Sequence, residues 1–460
     1  MTIVSEAKAP ASSGRALWGM ILVFFACWVV ALLDRMVVTM LIPGIKASLR
    51  LSDTEVSLLY GAAFSECFAL AGLGAGWLAD RYSRRKLLAV GVAGWSLATM
   101  GCGLAGSFVQ FFAARVLVGV FQSVLTPASF SMVTDGYPPE RRGRAIGLLV
   151  SAGAVGVAAS SVVGGLVFDF FGSKPPIHGP FGLLLAPWQS TLVVAGLPGL
   201  ALIPAVLALK EPARQKSAAE ARAFRLFSYL RANLRTFGPL FAGFTLTLMA
   251  SYGLVAWFPT LCMRNLHMPA HEVGPIIGLI NCVTALAAAV IGGSISDRVS
   301  VRDPKAGRLT AGLVMILLFA AGLSTLVFGD SALALFAGFG VFAFFVPSIA
   351  GVSNTVFSEL APPEARGRII AFYQFLGYVV GLGVAPTLVA LITDRGLHDE
   401  GRLNVSMLLV AEPCLLLAAI LVGSVLPGAR KAGARSLAQH VAAAVDVDHR
   451  AGDRGGARGA

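Results

Sequence analysis

Long apolar runs separated by short polar loops dominate the pattern of this chain. Twelve runs are long enough to cross about 30 Å of hydrocarbon as a helix, which takes about 20 residues. They lie near 16–42, 55–79, 87–107, 109–134, 144–170, 188–209, 236–262, 272–296, 309–328, 332–358, 369–393 and 404–427. The pattern therefore predicts an all-α membrane protein with twelve transmembrane helices, named spans 1 to 12.

The composition agrees with a membrane protein. Hydrophobic residues make up 56% of the chain and charged residues 13%, whereas soluble domains carry about 25% charged residues. The net charge is +12, but the cations lie in loops between apolar runs, so nucleic acid is not an expected partner. The six cysteines lack C-x-x-C spacing, and we predict neither a metal site nor a cofactor.

The basic residues predict the topology. With both termini in the cytoplasm, 28 of the 36 Lys and Arg residues would lie inside and 6 outside. Cytoplasmic loops of membrane proteins carry such an excess of cations. We therefore expect a multi-pass protein of the cell inner (plasma) membrane with both termini cytoplasmic.

Two loop motifs occur once in each half of the chain. Residues 138–144 read PPERRGR and residues 362–368 read PPEARGR, while Asp80-Arg81 recurs as Asp297-Arg298. This recurrence indicates two parallel six-helix repeats, an architecture of transporters with a site between the halves. The predicted regions are a disordered N-tail (1–15), an N-terminal half (16–209), a linker (210–235), a C-terminal half (236–427) and a disordered C-tail (428–460).

The stretch at 76–86 reads GWLADRYSRRK. It resembles the signature between spans two and three of the major facilitator superfamily, with Ser83 where glycine is usual. Other features resemble bacterial Spinster-like carriers of that superfamily: Asp34-Arg35, P-x-E-R-R-G-R-A at 138–145, Pro187-Trp188-Gln189, 196–199 (GLPG) and Lys210-Glu211-Pro212. The resemblance covers residues 16–427 and implies the major facilitator fold and a carrier working by alternating access.

Span 4 departs from that resemblance. Similar carriers have a glutamate in a Gly-x-Gly-Glu-Ala segment, which is implied to carry protons, whereas this chain has Gln122 there. Because an amide does not titrate, the coupling ion stays open. Glu66 in span 2 has no basic residue at helical spacing and is the candidate replacement. The alternative is a glutamate that stays protonated and bonds to a neighbouring span.

Ionisable side chains within spans are candidates for binding or coupling, because hydrocarbon disfavours charge. Asp34 and Arg35 in span 1 and Arg115 in span 4 are predicted to lie at similar depths, so that Asp34 or Arg35 meets Arg115. One carboxylate between two guanidiniums would leave positive charge for an anionic headgroup. The alternative is an ion pair that only holds spans 1 and 4 together.

Polar and aromatic side chains of the C-terminal half complete the predicted site, with packing as the alternative for each. A positive N-terminal half opposite an aromatic C-terminal half favours an amphipathic, anionic substrate. The predicted substrate-binding or coupling residues are Asp34, Arg35, Glu66, Arg115, Gln122, Tyr252, Trp257, Asn281, Tyr373, Gln374 and Tyr378.

Charged loop residues predict a cytoplasmic gate. Asp80 is expected to face the start of span 11 and Asp297 that of span 5, because helix N-termini attract anions. Two further pairs are expected: Asp135 with Arg84 or Arg85, and Glu359 with Arg298. The alternative is that the cations only set topology. The predicted gate comprises Gly76, Asp80, Arg81, Arg84, Arg85, Asp135, Glu140, Arg142, Arg144, Asp297, Arg298, Glu359, Glu364, Arg366 and Arg368.

The function predicted is secondary transport of a small organic or amphipathic substrate, with proton coupling left open. The sequence has no Walker A pattern, so ATP drive is not expected. A multidrug or organic-acid exporter of the same superfamily is the first alternative. A polytopic membrane enzyme or a transporter-like sensor is the alternative of another class, which the loop positions of the histidines and the short tail disfavour. We expect a functional monomer whose partners are a small-molecule substrate, membrane lipid and, if coupling holds, H+.

Overall fold

The computed structural model describes residues 14–175, 177–178, 184–214, 226–304, 306–327, 331–362 and 365–456. Twelve of its helices are long and apolar enough to cross a membrane. The prediction of an all-α membrane protein with twelve spans is therefore confirmed. The spans are Leu17–Leu49, Asp53–Arg81, Arg84–Gly103, Phe108–Gly136, Pro139–Gly172, Pro187–Ala208, Leu234–Asn265, Ala270–Arg302, Gly307–Leu326, Ala332–Leu360, Arg366–Leu397 and Glu400–Lys431.

Several spans consist of more than one helical segment. Span 2 breaks at Gly61, span 4 breaks after Gln122, and spans 8 and 11 contain π-helical turns. The α-helices are Gly14–Leu49, Asp53–Tyr60, Ala62–Arg81, Arg84–Gly103, Phe108–Gln122, Leu125–Gly136, Pro139–Gly172, Pro187–Ala208, Leu226–Ala232, Leu234–Asn265, Ala270–Ala287, Gly293–Arg302, Gly307–Leu323, Ala332–Leu360, Arg366–Leu376, Gly383–Leu391 and Leu403–Gly456. The π-helical turns are Ala288–Gly292, Gly377–Leu382 and Ile392–Leu397, the 3-10 turns are Ser324–Val327 and Glu400–Arg402, and Ile177–His178 pairs with Leu184–Leu185 as a small antiparallel sheet.

The last helix differs from the prediction. The sequence predicted a disordered tail from residue 428, whereas the helix that begins at Leu403 runs on to Gly456. The tail is rich in alanine, which favours a helix, and has no proline beyond Pro427 to end one. These features outweigh its glycines, on which the prediction of disorder partly rested.

The spans form two bundles of six. In the first, span 1 packs on span 5 and span 3 on span 6; in the second, span 7 packs on span 12 and span 9 on span 10. The repeated loop motifs make the same contact in both bundles. Arg142 Nε donates to the Tyr137 carbonyl at 2.9 Å, and Arg366 Nε donates to the Ala361 carbonyl at 3.3 Å. The recurrence seen in the sequence therefore extends to equivalent hydrogen bonds.

The two ends of the molecule differ in how closely the bundles approach. We name the end that carries the loop Tyr82–Ser83 the basic face, and the end that carries the loop Arg50–Ser52 the opposite face. Toward the opposite face, a Cβ on Gly61 of span 2 would lie 2.6 Å from the Leu382 carbonyl of span 11. A Cβ on Gly165 of span 5 would lie 2.2 Å from the Ala270 carbonyl of span 8. These glycines let the backbones of the two bundles touch.

A group of charged side chains joins the bundles at the opposite face. Asp53 of span 2 accepts two hydrogen bonds from Arg264 of span 7, at 2.6 and 2.7 Å. Lys46 of span 1 contacts Asp53 at 2.8 Å and Glu400 of span 12 at 2.6 Å. We name Lys46, Asp53, Arg264 and Glu400 the opposite-face cluster. The Asp394 carboxylate adds hydrogen bonds of 2.8 and 2.7 Å from the Thr54 backbone and hydroxyl.

At the basic face, no hydrogen bond joins the two bundles among the residues that the structure describes. The Asp80 side chain is exposed, and Asp297 pairs with Arg308 of span 9 at 2.9 Å. The predicted contacts of Asp80 with span 11 and of Asp297 with span 5 are thus not formed in this conformation. Among the described residues, the two bundles are joined by polar contacts at the opposite face and not at the basic face, which is the state that the predicted gate would not stabilise.

The pairing of Arg84 with Asp135 is confirmed, and it lies within the N-terminal bundle. Arg84 is buried; it also donates to Ser131 at 2.9 Å and to the Pro212 carbonyl at 2.7 Å. Arg85 instead donates to the carbonyls of Leu207 and Leu209 at the end of span 6, at 3.2 and 3.1 Å.

The predicted pairing of Glu359 with Arg298 is wrong. Glu359 accepts from Arg308 Nε at 2.6 Å, and Arg308 bridges it to Asp297. Arg298 is exposed. Arg308, in the first turn of span 9, lies between the ends of spans 8 and 10 and takes the place predicted for Arg298. Of the other gate residues, Arg81 stacks on Trp77 with 4.2 Å from its Cζ to the ring centre. No atom of the described residues lies within 4 Å of where a Cβ on Gly76 would be. Glu140, Arg144 and Arg368 are exposed, and Glu364 lies outside the described residues.

The segment after span 6 holds the hairpin between spans 2 and 3. Glu211 accepts from the Ser83 hydroxyl at 2.5 Å and from the Arg84 backbone N–H at 2.9 Å. Arg214 donates to the carbonyls of Ala79, Asp80 and Tyr82 at the end of span 2. A carboxylate at a helix start and a guanidinium at a helix end each satisfy backbone groups that the helix leaves free.

Replacing Glu211 with glutamine is expected to lower the melting temperature at neutral pH by a few degrees. Burial favours the protonated acid, but hydrogen bonds from Ser83 and Arg84 outweigh it and lower the pKa of Glu211 below its usual value. A lowered pKa means that the stabilisation is complete above the unfolded-state pKa and is lost as the pH falls through the folded-state pKa. The difference between wild type and E211Q should therefore begin to shrink as the pH falls below the usual glutamate pKa of about 4.3 and vanish once the pH is below the lowered pKa of folded Glu211. Equal melting temperatures for E211Q and wild type at pH 7 would contradict the assignment.

Candidate substrate cavity

A cavity of about 290 Å³ lies between the two bundles. Spans 1 and 5 supply its wall on one side and spans 7, 8, 10 and 11 on the other. Its charged and polar lining residues are Arg35, Thr39, Ser160, Ser161, Tyr252, Asn281 and Tyr378. Among the described lining residues, Arg35 alone carries a formal charge.

Arg35 is held by aromatic rings and neutral acceptors. Its Cζ lies 4.5 Å from the Phe64 ring centre, 4.8 Å from that of Phe68 and 5.7 Å from that of Tyr378. Its Nη1 donates to the Tyr378 hydroxyl at 3.4 Å. Stacking on aromatic faces stabilises a guanidinium without neutralising it. The cavity wall therefore retains a full positive charge.

Gln122 supports Arg35 from span 4. Its Oε1 accepts from Arg35 Nη2 at 3.3 Å, and its Nε2 donates to the Ala31 carbonyl of span 1 at 3.2 Å. The second bond fixes which end of the amide faces Arg35. Gln122, where similar carriers have a glutamate, thus contacts the one charged side chain among the described lining residues of the cavity.

The predicted ion pair of Asp34 or Arg35 with Arg115 is not formed among the described residues. Asp34 is fully buried, and neither of its carboxylate oxygens has a hydrogen-bond partner. Asp34 and Arg35 are adjacent on a helix, so their side chains leave span 1 about 100° apart. Arg35 reaches the cavity, and Asp34 lies inside the N-terminal bundle.

Arg115 satisfies the break in span 2 instead. It donates to the carbonyls of Leu59 and Tyr60 at 3.2 and 3.4 Å, directly before the break at Gly61. A helix end leaves its last carbonyls without intrahelical partners and carries partial negative charge, which attracts the guanidinium. Arg115 is buried and does not line the cavity.

The other predicted site residues divide by position. Tyr252, Asn281 and Tyr378 line the cavity, and their role in binding stays a prediction. Trp257 is fully buried with its indole N–H donating to the Pro386 carbonyl at 2.9 Å, and Tyr373 is buried against Ser353. Gln374 is exposed.

Glu66 is exposed rather than buried. It shares a face of span 2 with Leu70 and Leu73, which are 61% and 70% exposed. Its carboxylate oxygen lies 3.5 Å from where a Cβ on Gly383 of span 11 would be, at the edge between the bundles. The sequence predicted a buried carboxylate near the middle of the membrane, and Glu66 is more exposed than that.

Span 10 supplies an apolar wall that the sequence analysis missed. Phe339, Phe342, Val346 and Pro347 line the cavity opposite Arg35. Pro347 inside the helix was a signal, because proline in a span needs neighbours that satisfy the freed backbone. Tyr378 lies in the π-helical turn Gly377–Leu382, and such turns occur frequently at functional sites.

Comparison with known proteins assigns the family. The family model described as "Major Facilitator Superfamily" matches residues 23–434. This chain belongs to the Major Facilitator Superfamily. Two similar relatives are transporters of that superfamily. An MFS-type efflux pump of Mycolicibacterium smegmatis is 27% identical, over 88% of this chain and 92% of the relative. A hexuronate transporter of Bacillus subtilis is 26% identical, over 82% of this chain and 87% of the relative.

A solved structure shows the same fold. It is a bacterial homologue of the human lysosomal transporter Spinster in an inward-facing, unoccupied conformation, with a TM-score of 0.74 and 22% identity. The alignment covers 91% of this chain and 98% of that chain. The resemblance to Spinster-like carriers and the twelve-helix transporter fold are thereby confirmed. The chain is a multi-pass membrane transporter rather than an enzyme.

Proposed function

We propose that this transporter is a secondary carrier that moves small organic or amphipathic anions by alternating access. The observation that carries the proposal is Arg35, a buried guanidinium on the cavity wall without a carboxylate partner among the described residues. A desolvated cation without a counter-ion is costly, and an anionic group bound by its N–H donors would remove that cost. The hexuronate transporter among its relatives supports an organic anion.

Alternating access is supported by the contrast between the two faces. The glycine contacts and the opposite-face cluster close one face, and the basic face lacks such contacts among the described residues. The excess of cations at the basic face supports placing that face in the cytoplasm, in the inner (plasma) membrane. The structure then represents the inward-open state, and the predicted gate at Asp80 and Asp297 would form in the outward-open state. The cavity is complete within one chain, so a monomer is the expected functional unit.

The direction of transport has two candidates. Uptake of an organic acid agrees with the likeness to the hexuronate transporter. Export is favoured by the likeness to the efflux pump of Mycolicibacterium smegmatis. The cavity itself serves either direction, because alternating access is reversible and the gradient sets the direction.

Proton coupling is assigned to Asp34 in this proposal. Its carboxylate is buried without a hydrogen-bond partner, next in sequence to Arg35. Protonation would relieve the cost of an unpaired charge. Asp34 can therefore gain or lose a proton as the anionic ligand enters or leaves the cavity beside Arg35.

The coupling is tested in proteoliposomes with benzenesulfonate, an anion that stays ionised across the accessible pH range. Uptake by the wild type is expected to increase under an inward proton gradient. Asp34→Asn should retain downhill uptake and lose the dependence on the gradient, and Glu66→Gln should retain both. Loss of the dependence in E66Q but not in D34N would move the coupling role to Glu66; a wild type that ignores the gradient would contradict proton coupling.

A further inference from the structure

We propose that Gln122 sets the charge selectivity of the cavity, which accepts a single anionic group on an apolar or aromatic body and discriminates against dianions and neutral analogues. This inference rests on the proposed carrier function and specifies its substrate class. It concerns how much charge the cavity wall carries, and that quantity depends on the side chain that holds Arg35.

The charge of Arg35 is undiminished because its partners are neutral. Arg35 is 6% exposed. Its Nη groups reach the Gln122 amide oxygen and the Tyr378 hydroxyl, and its buried Nε has no hydrogen-bond partner. A guanidinium so placed has lost water without gaining a counter-ion. It can therefore donate charge-assisted hydrogen bonds to a ligand.

A carboxylate at position 122 would not fit this arrangement. The Gln122 amide nitrogen donates to the Ala31 carbonyl at 3.2 Å, and a carboxylate has no donor for that bond. A carboxylate would also pair with Arg35 and cancel the charge that the ligand needs. Gln122 is 1% exposed, so solvent would screen this pairing little. The amide thus orients Arg35 and leaves its charge available.

The remaining wall limits the ligand to one charge. Among the described lining residues, the side chains other than Arg35 are apolar, hydroxyl or amide groups. A second anionic group would enter the cavity without a cation to pair with among the described lining residues, at a desolvation cost. A neutral analogue would leave the guanidinium unpaired. The apolar surface of Phe339, Phe342 and Val346 suits a hydrophobic or aromatic body.

Binding of three probes with the same ring tests the inference. Benzenesulfonate is a monoanion, benzene-1,3-disulfonate a dianion and benzenesulfonamide a neutral analogue. The purified wild type is expected to bind the monosulfonate at least ~10-fold more tightly than the other two, as one good charge-assisted contact provides. Gln122→Glu should lose ~10-fold or more of that affinity. The matched control is Gln110→Glu, an amide-to-carboxylate change at the exposed start of span 4, and it should bind as the wild type does.

Gln122→Met keeps position 122 uncharged and serves if the glutamate variant does not fold. It should retain the preference for the monosulfonate over the sulfonamide; loss of that preference in folded Q122M overturns the inference. The inference is also overturned if Q122E binds the monosulfonate as tightly as the wild type, or if the wild type binds the disulfonate equally well. Those results leave the carrier function standing, whereas a wild type that neither binds nor transports any of the three contradicts the proposed anion carrier itself.

Discussion

Arg35→Met is expected to abolish transport of benzenesulfonate and to weaken its binding by about 100-fold, the loss of two charge-assisted hydrogen bonds. Methionine has a similar length, and it can pack between Phe64 and Phe68, which now lie 4.5 and 4.8 Å from the guanidinium carbon. The cavity would then lack its only described charge. Arg35→Lys keeps the charge but not the planar fork, and an intermediate affinity is expected.

The control for this substitution is Arg231→Met, at an exposed position of the short helix Leu226–Ala232. It removes the same charge and should transport as the wild type does. Binding is measured by calorimetry on purified protein, and transport by uptake into proteoliposomes. Transport by folded R35M at the wild-type rate would show that the substrate does not use Arg35.

Gly61→Ala is expected to shift the protein away from the state closed at the opposite face. The added Cβ would lie 2.6 Å from the Leu382 carbonyl across the two bundles, closer than van der Waals contact allows. Overpacking of this kind costs about 1–3 kcal/mol, which changes a two-state population by about 5- to 150-fold. The contact with the Leu382 carbonyl exists only in the state in which spans 2 and 11 touch.

The shift is measured as the distance between two spin labels by double electron–electron resonance. The labels are placed at Ser173 and His398, exposed positions on the two bundles near the opposite face. A longer distance should become dominant in G61A. Gly172→Ala adds the same atom at the end of span 5, where no atom of the described residues lies within 4 Å, and should leave the distances unchanged. Identical distance distributions for G61A and wild type would contradict closure through this contact.

The spans and the duplication were predictable because their signals are local. Hydropathy sets the number of spans, and two loop motifs repeat at equivalent positions. Asp135 and Arg84 could be paired because they end and begin spans at the same face of one bundle. Arg35, Tyr252, Asn281 and Tyr378 could be assigned to the cavity because polar groups are rare within spans.

The opposite-face cluster could not be predicted from the same reasoning. Lys46 and Glu400 are 354 positions apart, and the hydropathy pattern assigned both to loops outside the cell, whereas the structure places them in spans 1 and 12. Their contact depends on which conformation the two bundles adopt. No local pattern reports that conformation.

Arg115 illustrates a different limit. Its depth in span 4 predicted a carboxylate partner, but the break at Gly61 exposes the carbonyls of Leu59 and Tyr60 and these accept its hydrogen bonds. Hydropathy marks a span without marking where its helix is interrupted. A buried cation can then donate to backbone carbonyls at the interruption, and the order of side chains along the sequence does not reveal those acceptors.

Counterflow tests the central claim, alternating access of an organic anion, most directly. Proteoliposomes preloaded with unlabelled benzenesulfonate are diluted into a trace of labelled benzenesulfonate, with no other gradient present. A transient accumulation of label above equilibrium is expected in the wild type, because unlabelled substrate inside competes with the label for exit through the same alternating site; R35M should show none. Equilibration without overshoot in the wild type, or an equal overshoot in R35M, would contradict the claim.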